Sequence, residues 1–506
     1  MIRVSLRRLF PGASFVGGTD IAAIDTAEDS RRCTPGCVFA VVAGKKANGR
    51  AFLQDAIQRG ATALLCRSPI AEVDLPQCVV PDVRQAYGEL CQALHGWPAQ
   101  RLGTIGVTGT NGKTTVTWMI QAILEQAARP TGVLGTIHYH DGIESTPARL
   151  TTPDAHTLAR WLGAMSAKNT EFAAMELSSH ALDQRRAAGI QLDVGIVTNV
   201  THDHFDYHVH FENYRLAKAR MLSMLKPSGL ILWNADDRGC ESLVGMTPRD
   251  TQVKSFGILS NADITGKVLD LSLQGTQFEI RAGLESITVT NGLIGRHNVS
   301  NALAAAGAAL HFGLSLADIR DGLQQLGCVP GRMQRIPRAD GFDLFVDYAH
   351  TEDALRRAIH ALRDGCRGRV ILVFGAGGER DASKRPLMGR VAAKADLIVV
   401  TSDNPRREDP TKISDEICAG LRGVGGTAHI EPDRELAIAW ALKNARAGDA
   451  VLIAGKGHEN FQLIGDERIP FDDVAICNRL LSGHPIAGPH WDDVVSTTEV
   501  AHVRRS

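Results

Sequence analysis

Short apolar runs recur along this chain, each breaking off into a polar or Gly-rich loop. The β-branched run at 104–108 reads as a buried strand. The period then changes. Val116, Met119, Ile120, Ile123 and Leu124 share one face of a helix that begins at about Thr114. Further buried strands are predicted at 172–175, 194–197 and 230–233, and again at 345–348, 370–374, 397–401 and 450–454. Continuous apolar runs alternating with helical patterns describe parallel sheets covered on both faces, with loops at one edge available to build a site. Between 268 and 289 the pattern alternates instead (Leu269, Leu271, Leu273, then Phe278, Ile280), which predicts a small antiparallel appendage. The first 95 or so residues read as a small α/β domain, with a strand at 38–42, a helix at 52–58 and a buried run at 63–66. Asp29-Ser30-Arg31 and the loop 44–50 read as surface loops, and Trp97-Pro98 as a linker. Residues 214–225 read as a helix on which Lys218, taken alone, is an exposed lysine.

A chain of 506 residues is too long for one core, and a prior of about 150 residues per domain predicts about three. The expected organisation is α/β throughout. A small N-terminal nucleotide-sugar-binding domain spans 1–96, and a central P-loop ATPase-type parallel sheet with its antiparallel appendage spans 97–330. A Rossmann-like doubly wound domain follows at 331–487, and a disordered tail is expected at 488–506. The formal net charge of −1 gives no bulk electrostatic argument for nucleic acid or a membrane surface. The ten cysteines are scattered; only Cys33 and Cys37 lie close, and no second pair completes a zinc site. No apolar run approaches the ~18 residues of a membrane span. The expectation is a soluble cytoplasmic protein in a reducing compartment.

The chemistry centres on Gly109-Thr110-Asn111-Gly112-Lys113-Thr114-Thr115, which stands between the strand at 104–108 and the helix after it. Strand, Gly-rich turn and helix make a phosphate cradle: glycines let backbone N–H groups approach phosphate, and the helix N-terminus favours an anion. Lys113 would neutralise β/γ oxygens and a threonine hydroxyl would reach Mg²⁺. The general pattern places a glycine where Val107 stands, so the match is to its Gly-Lys-Thr core. Glu176 ends a strand and is a plausible Mg²⁺ ligand. His202, His204, His208 and His210 lack the thiol or carboxylate partners of a zinc set, and His204 reads better as an auxiliary ligand or phosphate neighbour. Arg406, on the stiff turn after Asn404-Pro405, could form a forked carboxylate clamp with Arg380. Asn298 reads as the cap of the Ala-rich helix after it.

The span from about 21 to 480 resembles the Mur ligases, the ATP-dependent amino-acid-adding enzymes of peptidoglycan synthesis. The matching pieces occur in order: Asp29-Ser30-Arg31, the loop 109–115, Thr151-Thr152-Pro153, Glu176-Leu177-Ser178-Ser179-His180-Ala181-Leu182, and Asp203-His204 followed by Ala217-Lys218. They continue with Gly295-Arg296-His297-Asn298, Gly331-Arg332, Asp347-Tyr348-Ala349-His350-Thr351, Asp403-Asn404-Pro405-Arg406 and Gly455-Lys456-Gly457-His458-Glu459.

The resemblance implies roles for these positions. Ser30, Lys45, Lys46 and Ala47 would contact the UDP portion of a UDP-N-acetylmuramoyl-dipeptide, and Thr151, Thr152, Ser178, Gln184 and Arg186 its muramoyl-dipeptide. ATP would be bound by the loop 109–115 with Asn298, Arg332 and Asp347. Lys113, Glu176, His204 and Lys218 would be catalytic. Mg²⁺ would lie by Thr114, Glu176, His204 and a carbamylated Lys218. Arg380, Asp403, Asn404, Pro405, Arg406, Gly455 and Glu459 would select meso-diaminopimelate. The implied reaction adds that amino acid to the D-glutamate γ-carboxylate through an acyl phosphate, in a monomer with small-molecule substrates. Two other readings are a related ligase using L-lysine or a folylpolyglutamate, and a P-loop module that binds nucleotide without ligating anything.

Overall fold

The structure, a computed structural model, describes residues 2–44, 48–201, 203, 205–338 and 341–482. Its contacts divide the chain into two compact units. The first holds the described residues up to Leu269, with Gln277–Thr290 and His297–Leu326; the second holds Asp270–Thr276, Asn291–Arg296 and the described residues from Gly327 on.

The first unit begins with a five-stranded sheet in the order Ser14–Val16, Gln77–Val79, Ala61–Cys66, Cys37–Ala40, Asp25–Ala27, parallel except at its first pair. Side chains alternate faces along a strand. Accordingly Val38 and Ala40 enter one apolar cluster with Leu6, Leu65 and Leu90, while Cys37 and Phe39 enter another with Leu53 and Leu64. The expected surface loop at Asp29-Ser30-Arg31 is instead a tight turn, Ser30–Arg32, capped by Asp29, with Ser30 buried. The expected linker is also structured. Trp97 takes a left-handed backbone (φ +53°) and Pro98 and Ala99 are buried in the turn that follows.

An eleven-stranded sheet follows. Its centre is parallel, in the order Thr131–Leu134, Phe172–Glu176, Gly103–Thr108, Leu192–Val197, Leu225–Asn234, Gln252–Gly257. The expected appendage is part of this sheet: Ile264–Ser272 pairs in parallel with Gln252–Gly257, and Gly275–Ala282 and Glu285–Asn291 continue outward through short turns. The helix expected at 214–225 runs Phe211–Ala219, because the chain must turn at Leu222–Met224 to enter the strand at Leu225.

The second unit carries a six-stranded sheet in the order Gln334–Ile336, Asp343–Asp347, Ala450–Ala454, Val370–Phe374, Leu397–Val400, His429–Ile430. All but the first pair are parallel. Phe345, Leu372 and Leu452 pack on one face; Leu344, Val346, Ile371, Val373, Val451 and Ile453 pack on the other. Strands buried on both faces need apolar residues at every position, which is why they appear in the sequence as unbroken runs. The strand Ala450–Ala454 lies between Asp343–Asp347 and Val370–Phe374, so the order reverses there and the loops after these strands open at one edge. No helix among the described residues is long and apolar enough to cross a membrane.

Candidate functional site

In the first unit the loop 109–112 leads into a helix, Lys113–Gln126. Gly109 (φ +150°) and Gly112 (φ +90°) hold backbone that L side chains rarely adopt, and a Cβ at either would collide with Thr198 or Asn301. The loop is tied to the next strand end. Asn111 N–H donates to Asn199 Oδ1 (2.9 Å), Thr198 Oγ1 donates to the Asn111 carbonyl (2.6 Å), and Thr110 N–H donates to the Asn199 carbonyl (2.9 Å). Lys113 Nζ folds back onto the carbonyls of Gly109 (2.8 Å) and Thr110 (2.9 Å).

Thr114 Oγ1 donates to Glu176 Oε2 (3.0 Å), which also accepts from Thr136 Oγ1 (2.9 Å), while Thr136 N–H donates to Oε1 (2.7 Å). Thr136 Oγ1 reaches Thr151 Oγ1 at 3.3 Å. Thr152 Oγ1 donates to the Glu176 carbonyl (2.7 Å) and accepts from Ser178 N–H (3.0 Å). Arg186 donates to the Thr152 carbonyl (3.0 Å) and to Gln184 Oε1 (2.8 Å); burial pushes its pKa down. Gln184 donates to the Tyr207 hydroxyl, which donates to Asp183 (2.9 Å). Thr151, Thr152, Ser178, Gln184 and Arg186 therefore join Glu176 and Thr114 in one hydrogen-bonded network. Thr115 is buried at the start of the helix, and Ser30 lies in the tight turn Ser30–Arg32 of the N-terminal region.

The structure overturns the exposed reading of Lys218, which is 1% exposed. Its ammonium sits 4.4 Å from the Tyr214 ring, and burial, reinforced by the Lys113 charge, holds its pKa well below the usual lysine value. A cation there is disfavoured, and a neutral amine is the form that reacts with CO₂. Nor does Asn298 cap its helix. The helix begins at Arg296, and Asn298 lies buried in its first turn, accepting from Asn301 Nδ2 (3.1 Å). His208 is buried beside Ser179 (3.1 Å). His202, His204, Lys45, Lys46, Ala47 and the segment 488–506 lie outside the described residues. Among the described residues no group of three or more His, Cys, Asp or Glu could hold a metal ion. Oxygen donors are nonetheless concentrated at Thr114, Thr136 and Glu176, the chemistry a hard cation such as Mg²⁺ requires.

In the second unit the loops after the parallel strands converge. Asp347, buried, accepts from Met333 N–H (2.6 Å) and Ala349 N–H (2.8 Å); burial raises its pKa, against the charge of nearby Arg332. Arg332 stacks 4.5 Å from the Tyr348 ring. Gly455 N–H donates to the Asp347 carbonyl (3.0 Å).

Arg406 takes a left-handed backbone (φ +55°). It is pinned by a hairpin, Phe461–Ile464 with Glu467–Pro470. Arg406 N–H donates to the Leu463 carbonyl (2.9 Å), and Gly465 N–H donates to the Arg406 carbonyl (2.7 Å). Its guanidinium donates to the Gly378 carbonyl (2.7 Å). Burial first, then the charge of Arg380, pushes the Arg406 pKa down, opposed by Asp403 and Glu459. Arg380 itself is exposed. Asp403, Asn404 and Pro405 are buried, and Asn404 Nδ2 donates to Glu459 Oε2 (2.9 Å). Sequence reasoning singled out neither Thr136, Asn199 nor Tyr207 as a site residue. Each sits in a loop or short helix with no motif of its own, so only the fold brings them in.

Comparison with known proteins bears on both units. A family model described as "Mur ligase middle domain" matches residues 107–309, and one described as "Mur ligase, glutamate ligase domain" matches residues 331–457. The chain is 41% identical to a protein of Geobacillus thermodenitrificans (strain NG80-2), across 91% of this chain and 94% of that one. It is 42% identical to a protein of Gloeobacter violaceus (strain ATCC 29082 / PCC 7421), across 92% of this chain and 94% of that one. Both relatives are named UDP-N-acetylmuramoyl-L-alanyl-D-glutamate--2,6-diaminopimelate ligase. A solved structure with that same enzyme name superposes with a TM-score of 0.67 at 33% identity, covering 95% of this chain and 99% of that one.

Proposed function

The chain belongs to the Mur ligase family, and from that premise we propose that it is the ATP-dependent ligase adding meso-2,6-diaminopimelate to UDP-N-acetylmuramoyl-L-alanyl-D-glutamate. The observation that carries this reading is the continuous network from the phosphate loop through Thr114 and Glu176 to Thr152, Ser178 and Arg186. It joins the residues assigned to ATP to those assigned to the muramoyl-dipeptide.

In this reading the γ-phosphoryl group of ATP passes to the D-glutamate γ-carboxylate. The β,γ phosphoanhydride bond breaks, an acyl phosphate forms, and ADP leaves. The amine of the incoming amino acid attacks the acyl carbon, a tetrahedral intermediate expels phosphate, and the amine proton is lost. Activation as the acyl phosphate makes a carboxylate oxygen into a good leaving group. The loop N–H groups cradle the phosphates, and Lys113 swings from its own loop carbonyls to neutralise charge on the transferring group. Asn298, Arg332 and Asp347 contribute to nucleotide binding. Thr114, Glu176, His204 and a carbamylated Lys218 would hold Mg²⁺, which when bound supplies positive charge to the phosphoryl oxygens. The low pKa of Lys218 supports carbamylation, since an anionic carbamate near the metal replaces a buried ammonium. Ser30 and Lys45 to Ala47 contact the UDP portion.

Arg406, with Arg380, clamps the distal carboxylate of diaminopimelate beside Asp403, Asn404, Pro405, Gly455 and Glu459. L-Lysine lacks that carboxylate and would leave the guanidinium facing an ammonium, on the order of 10²-fold in selectivity. The proposal includes a three-domain division at 1–96, 97–330 and 331–487, a monomer, and a cytoplasmic location.

The test is phosphate release from ATP and the UDP-dipeptide with meso-diaminopimelate, with L-lysine, and with no amino acid. Release only with diaminopimelate is expected. Release with lysine keeps the ligase and discards the clamp, and release with none of them discards the muramoyl substrate.

A further inference from the structure

The Gly455-to-Glu459 motif contributes Gly455 and Glu459 to the amino-acid pocket above, but its lysine has been given no task. Lys456 is fully buried (0% exposed). Long ammonium side chains are seldom buried without partners, because leaving water costs a charge far more than it costs an apolar group. The partners of Lys456 are three residues of the proposed pocket. Its Nζ donates to Asn404 Oδ1 (3.2 Å) and Glu459 Oε2 (3.2 Å), and lies 3.9 Å from Asp403 Oδ1.

These contacts decide two orientations. Asn404 Oδ1 accepts from Lys456 Nζ and from Leu463 N–H (3.0 Å), so its Nδ2 must point the other way, where it donates to Glu459 Oε2. An amide has one acceptor end and one donor end, and the cation settles which faces which. Both bonds to Glu459 fall on Oε2, leaving Oε1 as the oxygen available to a ligand. Asp403 Oδ1 is buried with no hydrogen-bond partner, and the ammonium is its nearest compensating charge. Without Lys456, Asp403 and Glu459 would lose the ammonium beside them and be left to the charge of Arg406, and Glu459 would lose a bond that holds its rotamer.

We propose that Lys456 is a positioning residue for amino-acid selection: its buried ammonium orients Asn404 and Glu459 and offsets the Asp403 and Glu459 charges, so that Glu459 Oε1 is presented to the ammonium of the incoming diamino acid. The inference rests on the ligase reading above and deepens it. The bonds of Lys456 Nζ go to Asn404 and Glu459, residues assigned to the amino acid and not to the nucleotide, so its effect is expected at the step that uses the amino acid.

The test compares wild-type protein with Lys456→Met, Lys456→Gln and Lys456→Arg, all full-length. KM is measured separately for meso-diaminopimelate, ATP and the UDP-dipeptide, and acyl-phosphate formation is followed by rapid quench without amino acid. Lys456→Met is expected to raise the KM for diaminopimelate on the order of 10²-fold. The other two KM values and the quench amplitude should stay within about threefold, a small change on the scale on which about 1.4 kcal/mol is tenfold. Lys456→Gln, which keeps one donor without the charge, and Lys456→Arg, which keeps the charge, should fall between methionine and wild type; they carry the test if the methionine variant does not fold. An unchanged KM for diaminopimelate in the folded variants would overturn the proposal, as would parallel losses in all substrates and in the quench amplitude. If wild-type protein forms no acyl phosphate from the UDP-dipeptide, the ligase reading itself fails.

Discussion

Arg406 shows at the scale of one residue how backbone and side chain serve separate ends. Its backbone has a positive φ that the hairpin at 461–470 holds by two main-chain bonds, while its guanidinium bonds the Gly378 carbonyl. A left-handed backbone costs a residue with a Cβ about 1–2 kcal/mol relative to glycine. Arg406→Ala and Arg406→Gly are both expected to lose on the order of 10²-fold in kcat/KM for diaminopimelate, while ADP titration gives an unchanged affinity. The two should differ in stability, the glycine variant melting higher by the equivalent of about 1 kcal/mol. Normal turnover by either would remove the clamp from the account. Lys218 makes a related point: a lysine on a polar-looking helix is buried because it shares the inward face of that helix with Tyr214, four residues earlier.

Among elements, the helix Lys384–Ala392 and the loops around it are locked by Arg385, fully buried in the first turn. Its guanidinium bonds Glu408 through both oxygens (2.7 Å each), Glu416 (2.8 Å) and the Gly377 carbonyl (3.2 Å). Glu408 also accepts from Glu379 N–H (2.9 Å), so one ion pair ties the loop bearing Arg380 to the turn bearing Arg406. Arg385 holds the Glu408 carboxyl down to about 2, from 4.5. A folded-state pKa below the unfolded one gives stability that is complete above the unfolded value and lost as pH falls toward the folded one. Glu408→Gln is therefore expected to cost about 2 kcal/mol at pH 7, less than a wholly broken buried pair because Glu416 remains. The gap between variant and wild-type melting temperatures should narrow as pH is lowered from 5 toward about 2. An equal gap at pH 7 and pH 3 would show that packing, not the charge, carries the effect.

For the whole molecule, the chain is two compact units, each with strand-end loops rich in charge and glycine. Nucleotide binding to the folded state alone raises apparent stability by about 2.7 kcal/mol at a ligand concentration 100 times Kd. ADP with Mg²⁺ is expected to raise the melting temperature by several degrees, and Lys113→Ala to abolish most of that rise. An equal rise in both proteins would mean that the loop at 109–115 is not the phosphate site. The three-domain division remains a proposal at this scale, and circular dichroism with calorimetry on the full chain would count its cooperative transitions.

Much of this was legible in the linear sequence. Buried parallel strands need apolar residues on both faces, so 104–108, 172–175, 370–374 and 450–454 are readable as strands from the sequence alone. The phosphate loop was legible because glycines at fixed offsets from a lysine serve a local need, close backbone approach, that depends on no distant residue. The alternating pattern at 268–289 was legible as well, but not its attachment: parallel pairing with the preceding strand, Gln252–Gly257, is a choice of partner that alternation cannot encode. The same limit hid the burial of Lys218 and Lys456. Whether a lysine faces water or an acid depends on what the fold packs against it, and the acids beside Lys456 come from another strand end as well as its own loop. Strand burial and the phosphate loop were settled by the sequence alone. Which charges meet, and in what orientation, was settled only when the chain closed.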